Sequence, residues 1–382
     1  MDRQQIIEDI EKFDEELGRE HLAHARGMKD EINFSAIYSR HEHLFTLENI
    51  RLVRVLLKDA KLPDTQRRNL LLFDYLIGSY IGNELKELSD KASNYEAKAT
   101  IKVGSKRIPY RQASIVVMNE PNRKKRQKVV DALKTPKRVL TKFSEEALEQ
   151  EYKLLKELSG KNYVEYVEWI KQFDLRKFGK VLEGFLAQSN DIYRAQLHAT
   201  MTSMNVPLDD IQKHDLGFYL RAHRFDKYFP KRKLIPTLNA TLAGMGFSLR
   251  RQKNITLDAD ERPTKVPRAF CLPLLIPNEI YLVLKPHGGQ EDYQTILHEA
   301  GHSEHFANTK DDLPYELKHM GSHSVSETYS FLFEYLVMNP DWLKKFIKMP
   351  ARKEQEFLDF LKFTKLFFVR RYSGKVLYEL KF

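Results

Sequence analysis

The chain has 382 residues, 42% of them hydrophobic and 30% charged, with a formal net charge of +10. This is the balance of a globular protein long enough for a large core or two to three domain-sized units, and so modest an excess does not by itself indicate nucleic acid. One cysteine, Cys271, excludes an intrachain disulfide and suits a reducing compartment.

From the N-terminus, the opening MDRQQIIEDIEKFDEEL is charged and amphipathic rather than a secretory leader. No later run approaches the ~20 apolar residues of a membrane helix, so a cytoplasmic protein with no membrane partner is expected. Apolar residues recur at helical spacing through IIEDIEKF (6–13), IRLVRVLLKDAKL (50–62), LLLFDYLIGSYIGNEL (70–85), VLTKFSEEALEQEYKLLKEL (139–158) and FGKVLEGFLAQSNDIYRAQL (178–197). Breaks are predicted at Leu62-Pro63-Asp64, Asn119-Glu120-Pro121, Thr135-Pro136 and Ser159-Gly160. The basic run Arg123-Lys124-Lys125-Arg126-Gln127-Lys128 has no aromatic interleaving and reads as a solvated helix face, not a nucleic-acid surface. Residues 1–205 thus form an N-terminal helical region. It is expected to be continuous with a second region, 206–382, which carries the chemistry.

After Ile235-Pro236 the pattern shortens. Ile255–Asp258, Ala269–Leu272 and Ile280–Leu284 are β-branched or aromatic runs that predict a small antiparallel sheet, the last strand ending at Pro286-His287-Gly288-Gly289. Helical periodicity resumes near Gln290. A further helix is expected over about 322–338, stopping at Asn339-Pro340. The tail LDFLKFTKLFFVRRYSGKVLYELKF reads as helix almost to Phe382.

The resumed helix carries His298-Glu299-Ala300-Gly301-His302, an H-E-x-x-H match. Residues four apart share a helix face, so two imidazoles at this spacing can grip one zinc ion, with Glu299 beside them as general base. The metzincin continuation fails, because His305 and Asn308 stand where its glycine and third histidine belong. A carboxylate from the following helix is the other way to complete the site. Glu327 is the candidate ligand, and Glu334, two turns along the same face, could accept from a ligand imidazole. His305 reads as packed or supporting, His323 as a helix-start residue and possible substrate contact. Cys271 reads as a small buried hydrophobe.

HEAGHSEH followed about 25 residues later by E-T-Y-S-F-L-F-E resembles the thimet oligopeptidase and oligoendopeptidase F family of zinc peptidases, of gluzincin type. Asp258, Arg262 and Lys265 are similar to that family's D-x-x-x-R-x-x-K segment, and Arg268, Ala269, Phe270 and Cys271 to the edge strand after it. The resemblance covers about residues 215–340. It implies a mainly α, elongated, multi-helix zincin-like body with a small antiparallel sheet beside the active-site helix and a deep substrate channel. It also implies one Zn2+ held by His298, His302 and Glu327, with Glu334 as the second glutamate and short peptides as substrates that pair with the edge strand. Family members continue further, into a Gly/Tyr-rich segment that supplies oxyanion donors. Only 55 residues follow Glu327 here, and Tyr372 and Tyr378 are poor substitutes, so a missing C-terminal segment or a second polypeptide is expected to complete the site. The alternative is a zinc-retaining but catalytically weak peptide-binding or scaffold protein.

Overall fold

The computed structural model describes residues 1–29, 33–262, 265–266 and 268–381. Helix dominates the described residues, with two small sheets, as the mainly α expectation requires. None of these helices is long and apolar enough to cross a membrane. By compactness the chain forms two units, and neither is contiguous: Met1–Asn83 with His223–Glu354, and Glu84–Ala222 with Gln355–Phe382. The region boundary expected at 205/206 lies inside the second unit.

In the first unit, helix Arg3–Ala25 starts at Asp2, whose carboxylate accepts from the Gln5 N–H at 2.9 Å. Its buried face is Ile6, Ile7, Ile10 and Phe13, the three- and four-residue spacing read from the sequence. Helix Pro63–Glu84 opens on proline, which has no N–H to leave unpaired there, so the break at Leu62-Pro63 holds. Its Leu70, Leu71, Leu72, Phe73, Leu76 and Ile77 are buried. Tyr75 and Tyr315 each donate at 2.6 Å to Asp14, whose carboxyl burial pushes above the usual range.

The chemistry-bearing half of this unit is built on a three-stranded sheet. It comprises strands β3 (Ile255–Asp258), β4 (Phe270–Leu275) and β5 (Glu279–Val283), which follow β1 (Thr100–Val103) and β2 (Lys106–Pro109) in the chain. The order is β3-β5-β4. β4 and β5 are antiparallel, as expected, but β3 runs parallel to β5, so the sheet is mixed. The cause is the crossing after β3, which carries the chain past β5 to the far edge before the β4–β5 hairpin forms. The predicted D-x-x-x-R-x-x-K residues hold that crossing. Asp258 Oδ1 accepts from Lys265 Nζ at 2.7 Å, Oδ2 from Arg26 Nε at 2.5 Å, and Arg262 closes on the same carboxylate. Lys265 Nζ also donates to the Asp258 and Asp260 carbonyls. Pro263 and Thr264 of this segment lie outside the described residues, as does Phe382.

The motif helix, Gln290–Ala307, follows Gly289, which sits at φ 95°. Asp292 Oδ2 reaches back to the His287 and Gly288 N–H groups, both at 2.6 Å. The helix packs on β4 and β5 and against helix His323–Glu334, hereafter the carboxylate helix. A 3-10 turn, Tyr335–Met338, extends the latter, and the chain turns at Asn339-Pro340 as predicted.

In the second unit a hairpin of β1 and β2 stands within what the sequence reads as helix after helix. Helix Arg123–Ser159 runs through Pro136, so the predicted break at Thr135-Pro136 is corrected. The proline is buried within a long, otherwise bonded helix, whose remaining turns outlast one lost hydrogen bond. Gly160, left-handed at φ 76°, ends it where expected. The basic run is not wholly a solvated face. Arg126 is buried and donates to Asp215 at 2.8 Å, and Arg123 meets the same carboxylate at 3.1 Å. Tyr372 and Tyr378 are exposed on the tail helix Ala351–Glu379.

Candidate metal centre

The motif helix buries Tyr293, Ile296, Leu297, Ala300 and Gly301, leaving His298 and His302 half-buried one turn apart, ring centroids 4.9 Å from each other. The carboxylate helix crosses this helix at Gly301. A Cβ there would lie 2.5 Å from the Tyr329 carbonyl oxygen and 2.6 Å from Ser330 Cα, so only glycine permits the approach. That approach delivers Glu327. Its Oε2 lies 3.4 Å from His298 Nε2 and 3.8 Å from His302 Nε2.

Each imidazole is fixed through its other nitrogen. His298 Nδ1 is 2.7 Å from Glu334 Oε2, and Gln294 Nε2 holds the second oxygen of that carboxylate at 2.6 Å. His302 Nδ1 is 2.6 Å from Ser326 Oγ. An ionised carboxylate only accepts, so His298 carries its proton on Nδ1 and turns the Nε2 lone pair toward Glu327. A cation between these atoms satisfies all three donors at once. Among the described residues, His298, His302 and Glu327 form the group able to hold a metal ion, one ligand atom from each lying within 4.8 Å of the others. The spacing fits the chemistry: bonds of about 2.0–2.1 Å at a tetrahedral angle separate neighbouring donors by roughly 3.4 Å.

Electrostatics divides the residues. Burial raises the Glu299 carboxyl above the ordinary glutamate range, against the pull of His298, the Cys271 N–H and Arg268. Glu299 Oε2 accepts from that N–H at 2.9 Å, which ties the carboxyl to β4. Burial pulls both imidazoles down. At His298 the carboxylates of Glu334, Glu299 and Glu327 outweigh it and the net shift is upward, whereas His302 stays lowered.

The other predicted residues separate. Glu334 sits against His298. His305 stacks on Tyr329 (centroids 4.6 Å, 9°) and stands outside the donor trio, in a packed position. His323 is exposed at the start of the carboxylate helix. Arg268 is exposed just before β4, Ala269 is half-buried, and Phe270 opens the strand with its ring edge-on to His21. The Cys271 thiol is pushed up to about 12, chiefly by burial, and does not act as a nucleophile at neutral pH. Sequence reasoning missed Gln294, Ser326 and Ser330, whose Oγ donates to Glu327 Oε2 at 2.8 Å. Helical spacing from His298 and Glu327 could have found Gln294 and Ser330, whereas Ser326 meets His302 only across the two helices.

No family model matches the sequence, and no curated protein matches it either. Among solved structures, the chain is similar to a proposed peptidase from Chlamydophila abortus, with TM-score 0.60 and 14% identity over 98% of this chain and 70% of that one. It also matches a proposed oligoendopeptidase F from Bacillus anthracis str. Ames (0.48, 16% identity, 91% of this chain and 60% of that one). A third match is PZ peptidase A with an inhibitor (0.47, 17% identity, 96% and 62%). The chain therefore spans 60–70% of the length of these structures. The likeness to the Chlamydophila abortus structure shows a shared fold.

Proposed function

We propose that this chain is a zinc-dependent oligoendopeptidase acting on short peptides, with Glu299 as general base. The observation that carries the reading is the meeting of His298 Nε2, His302 Nε2 and Glu327 Oε2 beside a half-buried, basicity-raised Glu299. His298, His302 and Glu327 would hold one Zn2+. When bound, that ion supplies a Lewis acid for the scissile carbonyl and lowers the pKa of water. Glu299 would take one proton from the attacking water and give it to the departing amine nitrogen as the C–N bond breaks, and the remaining hydroxyl proton would pass from the new carboxyl to the same amine, leaving a carboxylate and an ammonium. The Cys271 N–H holds this carboxyl in place through one oxygen. β4 is the outer strand of its sheet, and Ala269 and Phe270 at its start offer backbone to a peptide that adds as a further strand. The single cysteine supports a reducing, cytoplasmic setting.

The test is cleavage of a quenched fluorescent peptide by the full chain. Cleavage should be lost with a chelator and restored by Zn2+. Glu299→Gln should lower kcat/KM by about 10²–10⁴ while metal content stays unchanged. A chain that takes up zinc stoichiometrically but leaves the peptide intact would instead be the metal-retaining scaffold.

A further inference from the structure

We propose that Ser326 is a positioning residue for His302, holding the ring so that Nε2 is the free, metal-facing nitrogen. The inference rests on the zinc reading above and adds a residue that the motif does not contain. Serine and threonine in helices commonly turn their hydroxyls back on a carbonyl of the preceding turn. The carboxylate helix shows that habit twice: Thr328 Oγ1 donates to the Ser324 carbonyl at 2.8 Å, and Ser330 Oγ to the Glu327 carbonyl at 2.9 Å. Ser326, buried on the same helix, instead places its hydroxyl oxygen 2.6 Å from His302 Nδ1, where it can accept from the ring. With Nδ1–H donated there, the lone pair lies on Nε2, the nitrogen that faces Glu327.

The two imidazoles then have unlike supports. His298 leans on a carboxylate that Gln294 fixes in turn, and His302 on a neutral hydroxyl. A carboxylate partner raises a ligand's basicity, and a hydroxyl does so less. His302 is therefore the weaker of the two nitrogen donors, and the ring whose orientation depends most on a single contact. Ser326 also adjoins Glu327 in sequence, so one turn of helix places a ligand and the support for a second.

The experiment measures the Zn2+ dissociation constant of the full chain by competition with a chromophoric chelator, and the visible spectrum of the Co2+-loaded chain. Ser326→Ala should weaken Zn2+ binding about 10–100-fold and change the Co2+ bands, with thermal unfolding of the metal-free chain unaltered. Ser326→Thr, which keeps the hydroxyl, should restore both. Wild-type affinity with an unchanged Co2+ spectrum in Ser326→Ala overturns the proposal, as does equal loss in the Ala and Thr variants. If the unsubstituted chain itself takes up no Zn2+, the peptidase reading falls as well. If it binds tightly and the Ala variant matches it, only the role of Ser326 falls.

Discussion

Two carboxylates in the first compact unit show how similar residues are put to opposite uses. Asp258 is buried and meets three cations: Lys265, Arg26 and Arg262. Burial alone would raise its pKa, but hydrogen bonds from those three hold it at about 2. Glu327 is half-exposed and faces two imidazole nitrogens and a serine hydroxyl. At Asp258 every acceptor is matched by a fixed positive charge, which makes a lock. At Glu327 the neighbours are a serine hydroxyl that donates and two imidazole nitrogens, none of them a fixed positive charge, so capacity for a cation is left over. Counting charge around a carboxylate thus separates a structural clamp from the candidate ligand where residue type alone does not.

The strongest way to break the comparison is Asp258→Ala. It leaves the buried Lys265 ammonium without its partner and frees the crossing between β3 and β4, so denaturant unfolding should show a loss of about 3–5 kcal/mol. The same lock sets an acid limit. The folded-state pKa of Asp258 is depressed, so its contribution is complete above the ordinary value near 3.8 and is lost as pH falls toward about 2. Wild-type stability should therefore drop through that window, and the Asp258→Ala curve should lack this component. A variant with wild-type stability at pH 7 would show that the clamp holds nothing.

Glu327→Ala should do the reverse. Zn2+ affinity should fall by more than the ~100-fold typical of losing an outer partner, while the metal-free chain keeps its denaturation midpoint. A large loss of metal-free stability would mean that Glu327 belongs with Asp258, as a structural ion-pair member.

Much of this contrast was legible in the sequence, for a physical reason. A metal site on helices depends on spacing along one chain, and His298, His302, Glu327 and Glu334 are set by four- and seven-residue intervals on two helices. The clamp residues Asp258, Arg262 and Lys265 were found by resemblance, but not their partner Arg26, which is contributed by a distant segment. The parallel pairing of β3 was hidden for the same reason, since strand direction depends on where the crossing passes. The hairpin at Thr100–Pro109 was a missed local signal. Ile101 and Val103, then Gly104-Ser105, then Ile108 carry strand alternation around a turn, and Gly104 at φ 63° supplies the left-handed residue it needs. Ser326 was passed over because a helical serine has a default partner in its own backbone, and only the crossing at Gly301 brings an imidazole within reach.

The smallest expected effect tests the electrostatics of the reactive side of the comparison. In the proposed mechanism Glu299 acts as a base only when ionised, so kcat/KM should fall on the acid side as its carboxyl takes up a proton. Burial raises that pKa, and the positive charge of Arg268 opposes the rise. Removing the charge in Arg268→Ala therefore favours the protonated carboxyl, and the acid limb of the profile should move to higher pH. Arg268 is exposed, so the difference should shrink as salt shortens the screening length from about 10 Å at 0.1 M to about 3 Å at 1 M. Arg268→Lys keeps the charge and should leave the limb in place. An acid limb that is unmoved in Arg268→Ala at low salt, or that moves to lower pH, would mean that the charge before β4 does not reach Glu299. Burial and the Cys271 N–H would then set its basicity without help from the strand's leading residue.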